Sequence, residues 1–130
     1  MPNFALLLSH APDRYQGLSE DEYMDIIKDY VAWVEELTAK GIYQDGHKLK
    51  DDPGKTLSSA NGGIEVHDSP ATEIAEILGG LMIVRTADSP AAVEIAKTCP
   101  RLKHNQTLHV QEIDAMEGVD RIRSGRNPAG

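Results

Sequence analysis

The chain has 130 residues and a formal net charge of -8, with 40% hydrophobic and 26% charged residues. That is one domain's worth of sequence with the apolar content of an ordinary globular core, which argues against disorder over most of its length. So large an acidic surplus also argues against nucleic acid as a partner, because phosphate binding needs clustered Lys and Arg.

The acid is unevenly placed. Residues 115–130 hold three Arg against two acids, so residues 1–114 carry -9, and between Asp13 and Glu36 eight acids meet only Arg14 and Lys28. A solvated helix face and loop is the plain account of that run, and an acidic docking surface is the alternative. No apolar run reaches the roughly 18 residues of a membrane span, and Phe4 to Leu8 lacks the basic flank and length of a signal peptide. A cytoplasmic protein without a membrane partner is expected. Cys99 is the only cysteine, so an intramolecular disulfide and a cysteine-only metal site are both excluded. Its place just before Pro100 predicts a buried thiol at a helix end rather than a nucleophile.

Asn3-Phe4-Ala5-Leu6-Leu7-Leu8 is almost wholly apolar and is bounded by Pro2 and Pro12-Asp13, which predicts a central strand covered on both faces. Ser19-Glu20-Asp21-Glu22 has capping-box spacing and opens a long helix. Tyr23, Ile26, Ile27, Tyr30, Val34 and Leu37 form its apolar stripe with Trp33 on the flank, and Gly41 supplies the left-handed residue that ends it. Ile42 to Leu49 is a weaker strand, interrupted by Gly46 and closed by Asp51-Asp52-Pro53-Gly54. Lys55 to Ala60 and Ile64 to His67 flank Asn61-Gly62-Gly63 and predict a hairpin inserted beside the main sheet.

Gly79 to Thr86 reads as a buried strand. Ser89-Pro90 places an N-cap before a proline, and Val93, Ile95, Ala96 and Cys99 give the second helix an apolar face that Pro100 terminates. Thr107 to Ile113 is a last strand with one exposed face. Residues 1–114 therefore form one α+β domain, and 115–130 an extension that frays from Ser124 onward, although Met116, Val119 and Ile122 are spaced to dock as one helical turn. The order strand, helix, strand, hairpin, strand, helix, strand fits a ferredoxin-like split βαβ sandwich. Two helices cover only one face of such a sheet, so the apolar strands need a partner, and a homodimer is expected.

Between the hairpin and the buried strand runs Asp68-Ser69-Pro70-Ala71-Thr72-Glu73-Ile74-Ala75-Glu76-Ile77-Leu78-Gly79-Gly80. This stretch resembles the Asp-Gly-Pro-Phe signature of the DGPF, or YCII-related, family, in which the turn leads through a Glu-rich segment and a Gly-Gly pair into a central strand. The resemblance covers roughly residues 3–114. It implies a dimeric α/β barrel, in which sheets pair across a two-fold axis, and it implies no established reaction. Ser69, Ala71 and Ala75 stand where the family has Gly, Phe and usually Lys. Shorter members carry a histidine on the first helix, proposed to work with an aspartate, and the matching position here is Tyr30.

Five histidines, His10, His47, His67, His104 and His109, show no metal-binding spacing, so no metal is expected. Ser9, Ser58 and Ser59 lack a nucleophile elbow, and Gly62-Gly63 and Gly79-Gly80 lack a phosphate-loop pattern, so hydrolase and nucleotide readings fail and no cofactor is expected. Asp68 is either a turn residue accepting backbone N–H groups or a carboxylate that contacts ligand and transfers protons. His10, at the end of the first strand, reads as a surface-loop residue or as the imidazole base that Tyr30 replaced. Glu73 and Glu76 share a face if helical, as solvated acids or as a pair that raise each other's pKa.

Two functions follow from these residues. In the first, an unidentified small molecule binds between sheet and hairpin, contacted by Tyr30, Pro70 and Glu73, with Asp68 and His10 as acid and base. In the second, Asp68 and Pro70 only shape a turn in a non-enzymatic interaction or regulatory module whose acidic helix meets a protein, an arrangement the resemblance links to sigma-factor systems. Convergence of Asp68 with His10, Tyr30 or Glu73 on one pocket would favour the first.

Overall fold

The computed structural model of the chain describes residues 1–11, 17–50, 52, 54–68, 77–104 and 106–115. Strands β1 (Asn3–His10), β2 (Tyr43–Lys48), β5 (Ile77–Arg85) and β6 (Gln106–Glu112) form one sheet in the order β2-β5-β1-β6. Neighbours in it are antiparallel throughout. Helix α1 (Glu20–Ala39) joins β1 to β2, and helix α2 (Ser89–Lys97) joins β5 to β6. Each helix thus links two parallel strands separated by one antiparallel strand, which is the split βαβ arrangement of a ferredoxin-like fold. Strands β3 (Thr56–Ala60) and β4 (Gly63–His67) pair with each other in a second, two-stranded sheet.

Local chemistry sets the ends of these elements. The Ser19 hydroxyl accepts the Glu22 N–H at 3.1 Å and the Glu22 carboxylate accepts the Ser19 N–H at 3.3 Å, completing the capping box. Gly41 follows α1 with φ of 72°. The hairpin turns at Asn61 and Gly62, with φ of 49° and 77°, the pair of positive values that matches the twist of the flanking strands.

Burial on β1 alternates, with Phe4, Leu6, Leu8 and His10 buried and Asn3, Ala5, Leu7 and Ser9 half-buried. The strand is central, but among the described residues the expected cover on both faces is supplied on one side only. That side forms the core, where Phe4, Leu6, Leu8, Met82 and Val84 meet Trp33, Leu37, Ala92, Ala96 and Cys99. On the other side Leu7 opposes Leu81 and Ala5 opposes Ile83, making a half-buried apolar patch.

Four expectations about the helices are corrected. Trp33 is buried on the α1 stripe with Ile26 and Leu37, because its ring joins the core that holds Ala92 and Ala96 and its indole N–H donates to the Thr98 hydroxyl at 2.8 Å. Asp88, not Ser89, caps α2, its carboxylate accepting the Ala91 N–H at 2.9 Å. Ala92 replaces Val93 on the buried face, since small side chains let α2 sit close on the sheet, and Val93 is exposed. Beyond Thr98, Pro100 opens a 3-10 turn, Pro100–Lys103, rather than simply ending the helix. The Met116, Val119 and Ile122 turn lies outside the described residues.

Candidate functional site

At one end of the sheet, where β1 finishes and β5 and β6 begin, a gap opens between the strands and α1. Gly80 sits opposite Leu8, and a register shift in β1 leaves Gly79 as the extra residue of a bulge. Gly80 is buried, and a Cβ there would meet the His47 carbonyl oxygen at 3.2 Å. The β2 backbone thus comes too close to Gly80 for a larger residue to fit without a shift.

The cavity at this end of the sheet has a volume of about 200 Å³. Leu8, Ile27 and Val31 give it apolar walls, Gly79 and Gly80 give it backbone, His47 and Lys48 stand at the β2 side, and Tyr30, Arg101 and Gln106 bring polar groups to it. A second cavity of about 230 Å³ adjoins it, sharing Tyr30, Val31, His47 and Lys48.

The polar groups are held by packing. Arg101, on the 3-10 turn, is 8% exposed, and its guanidinium carbon lies 4.5 Å from the centre of the Tyr30 ring. That distance is a cation–π contact. Tyr30 in turn tilts against Trp33, with ring centres 5.8 Å apart. Burial pushes the Tyr30 phenol above its ordinary pKa, partly opposed by the nearby Arg101 charge, so Tyr30 is a hydrogen-bond donor and not a base at neutral pH. Burial likewise raises the Cys99 thiol. Cys99 is buried in the core, the helix-end place expected of it.

Gln106 opens β6 directly opposite His10. Partners across a ladder share a face, so both point toward the helices with Leu8, Leu108 and Val110. His10 is 3% exposed, which corrects the surface-loop reading, and its Nδ1 lies 2.8 Å from the Ala11 carbonyl oxygen, to which it donates. The strand runs two residues past the last leucine and carries the imidazole inside. Gln106 is buried, and its amide nitrogen has no hydrogen-bond partner among the described residues.

Asp68 stands elsewhere, at the foot of the hairpin. Its side chain is 86% exposed and pairs with the Lys55 ammonium across the ends of β3 and β4. It is not among the residues lining the cavity at Tyr30. His67 leans back onto the hairpin, 3.4 Å from Glu65 and 3.5 Å from the Ser58 hydroxyl. Pro70 and Glu73 lie outside the described residues. Among the described residues no three His, Cys, Asp or Glu side chains gather as a metal site, and no helix is long and apolar enough to cross a membrane.

Arg101 and Gln106 had escaped attention in the sequence. Gln106 carried a readable signal, a polar residue in phase with the apolar Leu108 and Val110, while Arg101 in its turn carried none.

The model of the YCII-related domain matches residues 3–114. The chain belongs to that family. Among solved structures it is similar to 5-chloro-2-hydroxyhydroquinone dehydrochlorinase, TftG, from Burkholderia phenoliruptrix AC1100, in complex with 2,5-dihydroxybenzoquinone. The two share 17% identity and a TM-score of 0.50 over 86% of this chain and 93% of that one, a likeness of fold. No curated protein matches the chain.

Proposed function

We propose that this YCII-related protein binds a compact, largely apolar small molecule in the cavity between α1 and the glycine end of β5. The carrying observation is convergence: three polar groups, on Tyr30, Arg101 and Gln106, meet in one mostly apolar space. Specific sites have this make-up, apolar walls for affinity and a few fixed polar groups for orientation. An apolar cavity of about 150 Å³ takes benzene, so this one suits a single substituted ring or a short chain. Tyr30, kept protonated, supplies an O–H to the ligand, and any proton-transfer chemistry begins from it as donor. Asp68, exposed and paired with Lys55, belongs to the rival location of the site near the hairpin.

A second reading, the interaction module, is favoured by the hairpin. Leu57 opposes Val66 and Ser59 opposes Ile64, so Leu57, Ile64 and Val66 share one face, and they are 62%, 72% and 59% exposed. A two-stranded ribbon with one apolar face gains stability only by covering it. The homodimer belongs to both readings, with the Ala5, Leu7, Leu81 and Ile83 face as the sheet contact.

The test is ligand-observed NMR with single-ring probes, including acetophenone and the 2,5-dihydroxybenzoquinone found with TftG. Val31 lines the cavity from an exposed position on α1, so Val31→Trp fills the space without disturbing the core. Binding to the wild type that Val31→Trp abolishes supports the cavity. Absence of binding across the panel, or binding that the variant leaves intact, refutes it.

A further inference from the structure

We infer that Gln106 is the recognition residue of this cavity, its buried amide N–H taking an oxygen acceptor on the bound molecule. The ligand class is then a compact apolar frame bearing a carbonyl or similar oxygen. The inference rests on the cavity being a binding site and adds what that site selects.

A buried amide donor without a partner destabilises the fold, and proteins seldom keep one. Position 106 gives no structural reason to keep it. The residue is 9% exposed on the helix-facing side of β6, in register with Leu108 and Val110, and an apolar side chain would continue that face. The backbone ladder to His10 does not involve the side chain. The residue is among those that line the cavity.

The surroundings fix the sense of the contact. The walls contributed by Leu8, Ile27 and Val31 offer no polar atom. Arg101 and Lys48 side chains are donors only, and the Tyr30 phenol holds its proton. Donors therefore outnumber acceptors among the side chains at the cavity, where His47 also stands, and the Gln106 amide nitrogen has no partner among the described residues. A ligand oxygen would satisfy it, turning a standing cost in the empty protein into selectivity in the bound one.

The experiment compares acetophenone with ethylbenzene, two molecules of nearly the same shape that differ in one carbonyl oxygen. Affinities come from chemical-shift titration of the 15N-labelled wild type and of Gln106→Met and Gln106→Glu, alongside melting temperatures. The wild type should prefer acetophenone by about tenfold or more. Gln106→Met, similar in shape but without the amide, should lose that preference and melt about 3 °C higher, because the orphaned donor is gone. Gln106→Glu, which keeps the length and presents a carboxylate, should bind acetophenone more weakly than the wild type.

Equal affinity of the two probes for the wild type, or a preference that survives Gln106→Met, overturns the inference and leaves the cavity reading standing. A Gln106→Met protein that melts lower than the wild type also overturns it, since the amide would then serve the fold. Failure of both probes to shift Tyr30, Val31 and Gly80 overturns the cavity reading and the inference together.

Discussion

The Arg101 guanidinium rests on the face of Tyr30, 4.5 Å from the ring centre, and so ties the 3-10 turn to α1 beside the cavity. A planar cation on an aromatic face is worth about 0.5–2 kcal/mol, depending on desolvation. Tyr30→Phe keeps the ring, so unfolding in urea should change by no more than about 1 kcal/mol. Arg101→Met removes the charge and should cost more than Tyr30→Phe. The reverse order would mean that the phenol, not the stacked cation, holds the turn.

Trp33 and Thr98 give a prediction about the core. The indole N–H reaches the Thr98 hydroxyl at 2.8 Å, and that hydroxyl donates to the Ile95 carbonyl at 2.6 Å. Thr98→Val keeps the shape and orphans the buried N–H, at about 1–3 kcal/mol. Thr98→Ser keeps the acceptor and should cost less. Equal losses in denaturant titrations would show that the methyl group matters and the hydrogen bond does not.

Stability should decline in alkali. Burial holds both the Cys99 thiol and the Tyr30 phenol above their ordinary pKa values. The folded state therefore keeps protons that the unfolded chain releases. The stabilisation is complete below the unfolded values and is lost as pH rises, from about 8.5 for the thiol and about 10 for the phenol. Cys99→Ala should flatten the first part of that decline in melting temperature against pH. An unchanged slope in the variant would remove Cys99 from the account.

Asp68→Asn tests where the site is. The Lys55 pair is exposed at both ends, and such pairs contribute little, so the melting temperature should move by no more than about 1 °C. Acetophenone binding at the cavity should be unchanged. A marked loss of binding would shift the site to the hairpin foot, where Asp68 would act as the ligand-contacting carboxylate.

The half-buried Ala5, Leu7, Leu81 and Ile83 face predicts a two-fold homodimer, and obligate interfaces of this type bury more than about 2,000 Å². Light scattering at micromolar concentration should give twice the chain mass. A monomer would leave that face solvated and withdraw the proposal.

What was legible in the sequence is what short-range chemistry decides. Ser19 with Glu22, Gly41, and Asn61-Gly62 each act within a few residues, and each stands where the spacing put it. Element order followed and gave the ferredoxin-like sheet. Trp33, Asp88, Ala92 and His10 depended instead on how closely α2 lies on the sheet and how far β1 runs, which periodicity does not encode. The cavity was least legible, because it is lined by residues from separate elements, among them Tyr30 and Arg101, about 70 positions apart. Periodicity placed Tyr30 on the α1 stripe, but only the family resemblance marked it as a site residue, and Gln106 was readable only in retrospect, as a polar residue on an apolar phase.

The most direct measurement is a chemical-shift map of the 15N-labelled protein titrated with acetophenone. The account predicts that the largest shifts fall on Tyr30, Val31, Gly79, Gly80, Arg101 and Gln106, with the Gln106 side-chain amide moving furthest. Shifts confined to Leu57, Ile64, Val66 and Asp68, or a spectrum that does not move, would contradict it.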